Sequence, residues 1–232
     1  MPGMSYQERR GQIEAYFDRT AAEAWKRLTS DAPVSGIRAT VRAGRDEMRA
    51  QLLDWLPADL TGRRLLDAGC GTGMLALEAA RRGASVHAVD LSPTLIANAR
   101  ERLPAELAGR IEFAVGDMLA PDAGDFDHVV AMDSLIHYEL PDALGVLEGF
   151  AARTRTSVLF TFAPRTPALT LMHAVGKLFP RSDRSPAIVP VAEGKVRAAV
   201  AGDARLAGWQ VGRTRRISRG FYTSQAMELT CP

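Results

Sequence analysis

The sequence predicts an α/β domain built on a mostly parallel sheet, and three observations carry that prediction. Short apolar runs alternate with helix-length segments from Arg64 to about Ala163. The first run empties into a glycine loop, Leu65-Leu66-Asp67-Ala68-Gly69-Cys70-Gly71-Thr72-Gly73. The chain then closes on two strand-like segments, 209–217 and 220–229, joined by a tight connection at 219–220. Strands separated by helices pair in parallel through right-handed crossovers. Five parallel strands with a closing antiparallel hairpin are therefore expected.

Ahead of this core, residues 5–56 read as an N-terminal helical arm. Ile13, Tyr16, Phe17, Ala21, Ala24, Trp25 and Leu28 recur at three- and four-residue steps, an amphipathic stripe broken near 19–20. After a turn at 33–36, a longer helix places Ile37, Val41, Met48, Leu52, Trp55 and Leu56 on one side and stops before Pro57. Strands follow at 65–68, 85–90, 111–115, 126–132 and 156–163, with helices over 74–82, from 93, and over 141–152. Ser92 is the expected cap of the helix that opens on Pro93, where a missing N–H and a fixed φ cost nothing. Past Pro164 the alternation stops. An insertion at about 166–207 begins with an apolar helical stretch, passes through Pro180, Pro186 and Pro190, and ends in a second helix over 193–206. The expected division is an arm over 1–56 and a main domain over 57–232 that carries the insertion.

A chain of 232 residues holds one sizeable α/β domain. Its 29 basic and 27 acidic residues leave a net charge of +2, too small to argue for nucleic acid. Cys70 and Cys231 are too few and too distant for a disulfide framework or a metal site, so no metal is expected and a reducing cytoplasm fits. The polar opening has no apolar signal core, and no stretch reaches the roughly 20 apolar residues of a membrane span.

The glycine loop decides the ligand class. Glycines let the backbone turn sharply and approach a ligand closely, and the following helix turns its first amides toward it. A dinucleotide fingerprint needs glycines at the first, third and sixth positions; counted from Gly69, the sixth is Met74. Alternating Gly69, Gly71 and Gly73 instead suit a nucleoside without phosphate, S-adenosyl-L-methionine. Asp67, Ala68, Gly69, Cys70 and Gly71 are expected to hold its amino-acid end, with Asp67 placing a negative charge near the ammonium group. Asp90, followed by Leu91, ends the second strand where a carboxylate accepts ribose hydroxyls. Asp117 is expected at the adenine amino group with Met118 on the ring. Met132 and Asp133 close the set beside the topological switch point at the end of the fourth strand. His137 is the polar side chain placed to face the reacting methyl, although a single His is more often structural. Arg213, Arg215, Arg216 and Arg219 form either a solvated strand face or a surface for an acidic partner or a carboxylate-bearing substrate.

The loop, Asp90 and Asp117 together resemble the class I methyltransferases over roughly 52–163. That resemblance implies a Rossmann-like, seven-stranded sheet of order 3-2-1-4-5-7-6. Three further stretches narrow it: Glu14-Ala15-Tyr16-Phe17-Asp18-Arg19-Thr20 with Trp25, Leu135-Ile136-His137-Tyr138, and Phe179-Pro180-Arg181-Ser182-Asp183-Arg184-Ser185-Pro186. These resemble the magnesium-protoporphyrin IX O-methyltransferase family nearly end to end, closest to its bacteriochlorophyll-pathway type; 182–190 departs from the oxygenic pattern. The resemblance implies methylation of one propionate of magnesium-protoporphyrin IX, giving the monomethyl ester in (bacterio)chlorophyll biosynthesis. It also implies that Tyr16 and His137 serve the acceptor. It implies contact with the magnesium chelatase subunit that carries the porphyrin, and a cytoplasmic protein peripheral at the photosynthetic membrane.

Chemistry constrains such a reaction. A propionic acid resembles Glu, with a pKa of about 4.3, and is ionised at neutral pH, so no general base is needed. The protein must align a carboxylate oxygen with the methyl carbon and the sulfur, which is worth effective molarities of about 10⁵ M, and must strip water from that oxygen. His137 is then an orienting donor, or an axial ligand of the porphyrin magnesium, and Tyr16 closes the site from the arm. Leu169, Leu171, Met172 and Phe179 of the insertion either cover the macrocycle or pack in the core. Two rival readings remain: an O-methyltransferase for a quinone precursor or phenol, which would use His137 as a base, and a module that binds S-adenosylmethionine or a porphyrin without turnover.

Overall fold

The structure is a computed structural model that describes residues 6–16, 36–120, 124–165 and 188–231. The expected positions Phe17, Ala21, Ala24, Trp25, Leu28, Leu169, Leu171, Met172 and Phe179 lie outside the described residues, as does 180–187.

Seven strands form one sheet: β1 (Arg64–Ala68), β2 (Ser85–Asp90), β3 (Ile111–Val115), β4 (Phe126–Ala131), β5 (Thr154–Phe162), β6 (Gln210–Arg219) and β7 (Tyr222–Thr230). Their order is β3-β2-β1-β4-β5-β7-β6, as the resemblance implied. The first five pair in parallel, while β7 runs antiparallel between β5 and β6. Helices α1 (Tyr6–Tyr16), α2 (Gly36–Trp55), α3 (Met74–Arg81), α4 (Pro93–Glu101), α5 (Leu140–Ala151) and α6 (Glu193–Gly202) cover its two faces.

The central strands read as unbroken apolar runs because both faces are covered. Successive side chains point to opposite sides, so Leu65 joins a cluster with Met48 and Leu52 of α2 and Leu75 of α3. Leu66 joins the opposite cluster with Val146, Leu147 and Phe150 of α5. Helix α2, read from sequence as part of the arm, is thus one layer of the core. Ile37, expected on its buried stripe, is instead 57% exposed, because the sheet beneath α2 ends at about Thr40. Helix α1 sits on the other face, where Ile13 enters the α5-side cluster.

Ser92 caps α4 as expected, its Oγ accepting from the Leu95 amide at 3.3 Å. The closing hairpin turns one residue later than the sequence suggests. Arg219 pairs with Tyr222, leaving Gly220–Phe221 as a two-residue turn. Gly220 has φ +56°, and a Cβ there would lie 2.7 Å from Thr40 Oγ1 of α2. Because β7 is antiparallel, this turn projects at the carboxyl edge of the parallel strands, the edge at which open α/β sheets bind ligands.

Candidate methyl-transfer site

The loop between β1 and α3 is braced from behind. The amides of Gly69 and Cys70 donate to Val89 O at 2.8 and 3.0 Å, and the Gly71 amide donates to Asp90 Oδ2 at 2.8 Å. Gly69, Gly71 and Gly73 all have positive φ, at +79°, +56° and +76°. Two of these glycines also answer to protein contacts. A Cβ on Gly69 would fall 2.6 Å from Ser134 Cβ at the end of β4, and one on Gly73 would fall 2.7 Å from the Phe113 ring.

Asp67 is only 2% exposed, and its Oδ2 accepts from the Ala76 amide at 3.1 Å. It stands under the loop as a strut for the first turn of α3. Burial pushes its pKa up to about 7, helped by the nearby Asp90 charge and opposed by the Ala76 amide. Burial also raises Asp90, partly offset by the amides of Ser92, Gly71 and Leu91. The Cys70 thiol is pushed well up by burial and by both carboxylates, so it is no nucleophile. Ala68 and Met118 pack in the α5-side cluster with Leu91 against it, and Met132 packs in the α2-side cluster.

Asp117 was expected at the adenine. Its oxygens accept from Tyr6 Oη and Arg10 Nη1, both at 2.7 Å, and from the Leu119 amide at 2.9 Å. Burial raises this carboxyl, but the Leu119 amide, Tyr6 and Arg10 outweigh it and hold it below the usual range. Tyr6 also stacks on Tyr138 with ring centroids 5.2 Å apart. Helix α1, which carries half-buried Tyr16 at its end, is thereby docked on two of the predicted motifs at once.

Asp133, expected to touch the cofactor, is held by four side chains of the protein. It adopts φ +54°. Arg45 Nη1 donates to it at 2.5 Å, Tyr222 Oη at 3.1 Å, Ser224 Oγ at 3.2 Å and Thr161 Oγ1 at 3.2 Å. Burial and the Asp133 charge raise the Tyr222 phenol far up, so it stays a neutral donor. The next residues form a short 3-10 turn, Leu135–His137, in which His137 is buried.

Sequence reading missed Tyr6, Arg10, Arg45 and Tyr222, whose partners lie 88 to 111 residues away along the chain. It also missed Thr72 and Ser134. Their buried hydroxyls, on the glycine loop and at the end of β4, have no hydrogen-bond partner among the described residues. An unmade hydrogen bond costs about 1–3 kcal/mol, so two orphans flanking the β1–β4 crevice fit a polar ligand there. The strut Asp67, the ribose-type carboxylate Asp90 and these hydroxyls match the polar amino-acid and ribose parts of S-adenosylmethionine. Among the described residues no group of three or more His, Cys, Asp or Glu could hold a metal ion.

Asp67 gives this fit a pH signature. Its raised pKa means that the folded state favours the neutral acid. That contribution is present below the ordinary carboxylate range and is lost as pH rises through about 7. A cationic ligand nearby favours the ionised form. Binding of S-adenosylmethionine at pH 6 is therefore expected to release protons, measured as a heat that varies with buffer ionisation enthalpy. In Asp67→Asn the release should shrink. Equal release in both proteins would refute the coupling.

This sheet order, with its glycine loop and ribose-type carboxylate, defines a class I S-adenosylmethionine-dependent methyltransferase. Residues 65–156 match the family described as methyltransferase domain, and 131–231 match magnesium-protoporphyrin IX methyltransferase C-terminus. A magnesium-protoporphyrin O-methyltransferase of Rhodobacter capsulatus is 52% identical over 96% of this chain and 97% of its own. A crystal structure of magnesium protoporphyrin IX methyltransferase from Synechocystis, with bound SAH, superposes with a TM-score of 0.84 at 28% identity, covering 96% of this chain and all of that one. A ubiquinone biosynthesis O-methyltransferase of Xanthomonas oryzae is 32% identical over 72% of this chain and 71% of its own. The chain belongs to the magnesium-protoporphyrin O-methyltransferase family.

Proposed function

We propose that this enzyme transfers the methyl group of S-adenosylmethionine to a propionate carboxylate of magnesium-protoporphyrin IX, giving the monomethyl ester. The observation that carries this reading is the 52% identity that runs through both the cofactor half and the acceptor half of the chain. The buried His137 turn at the carboxyl end of β4 agrees with it.

The cofactor, when bound, supplies an electrophilic methyl carbon on a sulfonium. Asp90 holds the ribose hydroxyls, and the loop around Gly69 and Gly71 receives the amino-acid end. The acceptor carboxylate is already ionised, so the protein orients and dries it. His137 donates to that carboxylate, and Tyr16 on α1 closes over it. Contact with the porphyrin-carrying chelatase subunit and with a membrane surface rests on the family resemblance. Among the described residues no helix is long and apolar enough to cross a membrane.

Incubation with labelled S-adenosylmethionine and magnesium-protoporphyrin IX, metal-free protoporphyrin IX or a phenol panel tests the reading. A labelled ester with the magnesium porphyrin is expected, and transfer only to phenols would overturn it. His137→Asn is expected to lower kcat by about 10²-fold, the loss of one aligned donor, at unchanged KM for the cofactor. With no base in play, kcat at saturating cofactor should stay flat from pH 6 to 8. A fall with an apparent pKa of about 6.5 would instead assign His137 as a base.

A further inference from the structure

Four large apolar side chains stand out from the described surface: Ile37, Val115, Ile188 and Phe221, exposed by 57, 49, 39 and 59%. Single exposed apolar residues need no explanation, but clustering does. All four lie along the carboxyl edge of the sheet. Val115 ends β3, on the cofactor side. The other three lie beyond the switch point, on the acceptor side. Ile188 is fixed beside the His137 turn, because the next residue, Val189, donates its amide to Ile136 O at 2.8 Å. Phe221 is the tip of the β6–β7 hairpin.

Ile37 belongs with Phe221. Thr40 and Gly44 of α2 meet the hairpin at Gly220 and Tyr222. Residues spaced three and seven along a helix share one face. Ile37 therefore continues that face one turn past the hairpin tip, next to Phe221.

From the end of β4 to the start of β7 is two strand spacings, roughly 10 Å. A flat macrocycle spans that gap, whereas one phenolic ring does not. The surroundings are cationic. The β6 strand leading to the tip carries exposed Arg215, Arg216 and Arg219, of which Arg219 pairs with Glu47, and exposed Arg38 adjoins Ile37. An apolar body that bears carboxylates complements such an edge.

We propose that Phe221 and Ile37 form the outer wall of the acceptor site and carry the part of the macrocycle farthest from the reacting carboxylate. This rests on the acceptor reading given above. Neither side chain touches the reacting atoms, so the pair sets acceptor affinity and not the chemical step.

The test is the full-length Phe221→Ser/Ile37→Ser double variant. Both positions are exposed, so folding is expected to survive, checked by thermal melting. KM for magnesium-protoporphyrin IX should rise roughly tenfold or more, the loss of an aromatic anchor. The KM for S-adenosylmethionine and kcat should stay within about twofold, since uniform binding alone is removed. Porphyrin binding followed by tryptophan quenching should weaken in parallel. An unchanged porphyrin KM, with the wild type active, overturns the wall and leaves the acceptor reading standing. The same holds if the variant loses only co-sedimentation with anionic phospholipid vesicles, which would make the edge a membrane contact. A wild type that esterifies no porphyrin sinks the acceptor reading itself.

Discussion

Gly69→Ala is expected to lose measurable S-adenosylmethionine binding and to unfold at markedly lower temperature. Two costs combine. The residue sits at φ +79°, where a β-carbon costs about 1–2 kcal/mol. That carbon would also lie 2.6 Å from Ser134 Cβ, and relieving such an overlap in packed structure costs about 1–3 kcal/mol. The strain has nowhere soft to go. Ser134 follows Asp133, which four side chains hold, and the Gly69 amide is tied to Val89. The loop and the β4 end must therefore part, which opens the crevice in which the cofactor lies. Gly145→Ala on α5 is the control, since a Cβ there meets nothing within 4 Å and the helix gains by about 0.5–1 kcal/mol. Scanning calorimetry with and without S-adenosylmethionine decides the matter. A Gly69→Ala protein that melts with the wild type and keeps its ligand-induced shift would show that Ser134 moves aside freely.

The contrast between Gly69 and Asp133 marks how far the sequence could be read. The strands, the loop position and the Ser92 cap follow from local patterns (apolar period, glycine spacing and a Ser-Pro helix start), while the strand order came from the family resemblance. The glycine spacing also separates this loop from a dinucleotide-binding one. The reason for two of the three glycines is not local, because Gly69 answers to Ser134 and Gly73 to Phe113. Likewise the acidic residues stood out as site candidates, but nothing near Asp117 or Asp133 in the chain announces the donors that hold them. Tyr6 and Arg10 reach Asp117 from the arm, and Arg45 reaches Asp133 from α2. Such pairings depend on where the sheet brings α1 and α2, which only the assembled fold defines. Ile37 fails for the related reason that a helical stripe can outrun the surface it packs on.

Asp133→Asn is expected to destabilise the protein by about 3 kcal/mol, the lower end of the cost of breaking a buried ion pair. Asn keeps the tolerance for positive φ that Asp133 needs, so the substitution isolates the charge. Side-chain exposures of 5% for Asp133 and 17% for Arg45 leave little water to take over. Arg45 then keeps a buried charge without its carboxylate, and Tyr222, Ser224 and Thr161 compete for one amide oxygen. Arg45→Met alone leaves the reverse imbalance. The double variant should recover part of the loss, with a coupling energy of about 1–3 kcal/mol in a denaturation cycle. A coupling near zero would mean that the pair is replaceable by water and that α2 is held by its packing, with Met48 and Leu52 in the core. The kinetic consequence follows from position. Asp133 lies between β4 and the turn that carries His137, and its donors come from α2, β5 and β7. Loss of its charge should therefore lower kcat by misplacing His137 while leaving Asp90 and the ribose contact intact, so kcat falls at nearly constant KM for S-adenosylmethionine. Equal losses in both constants would place the damage in the whole crevice and not in that turn.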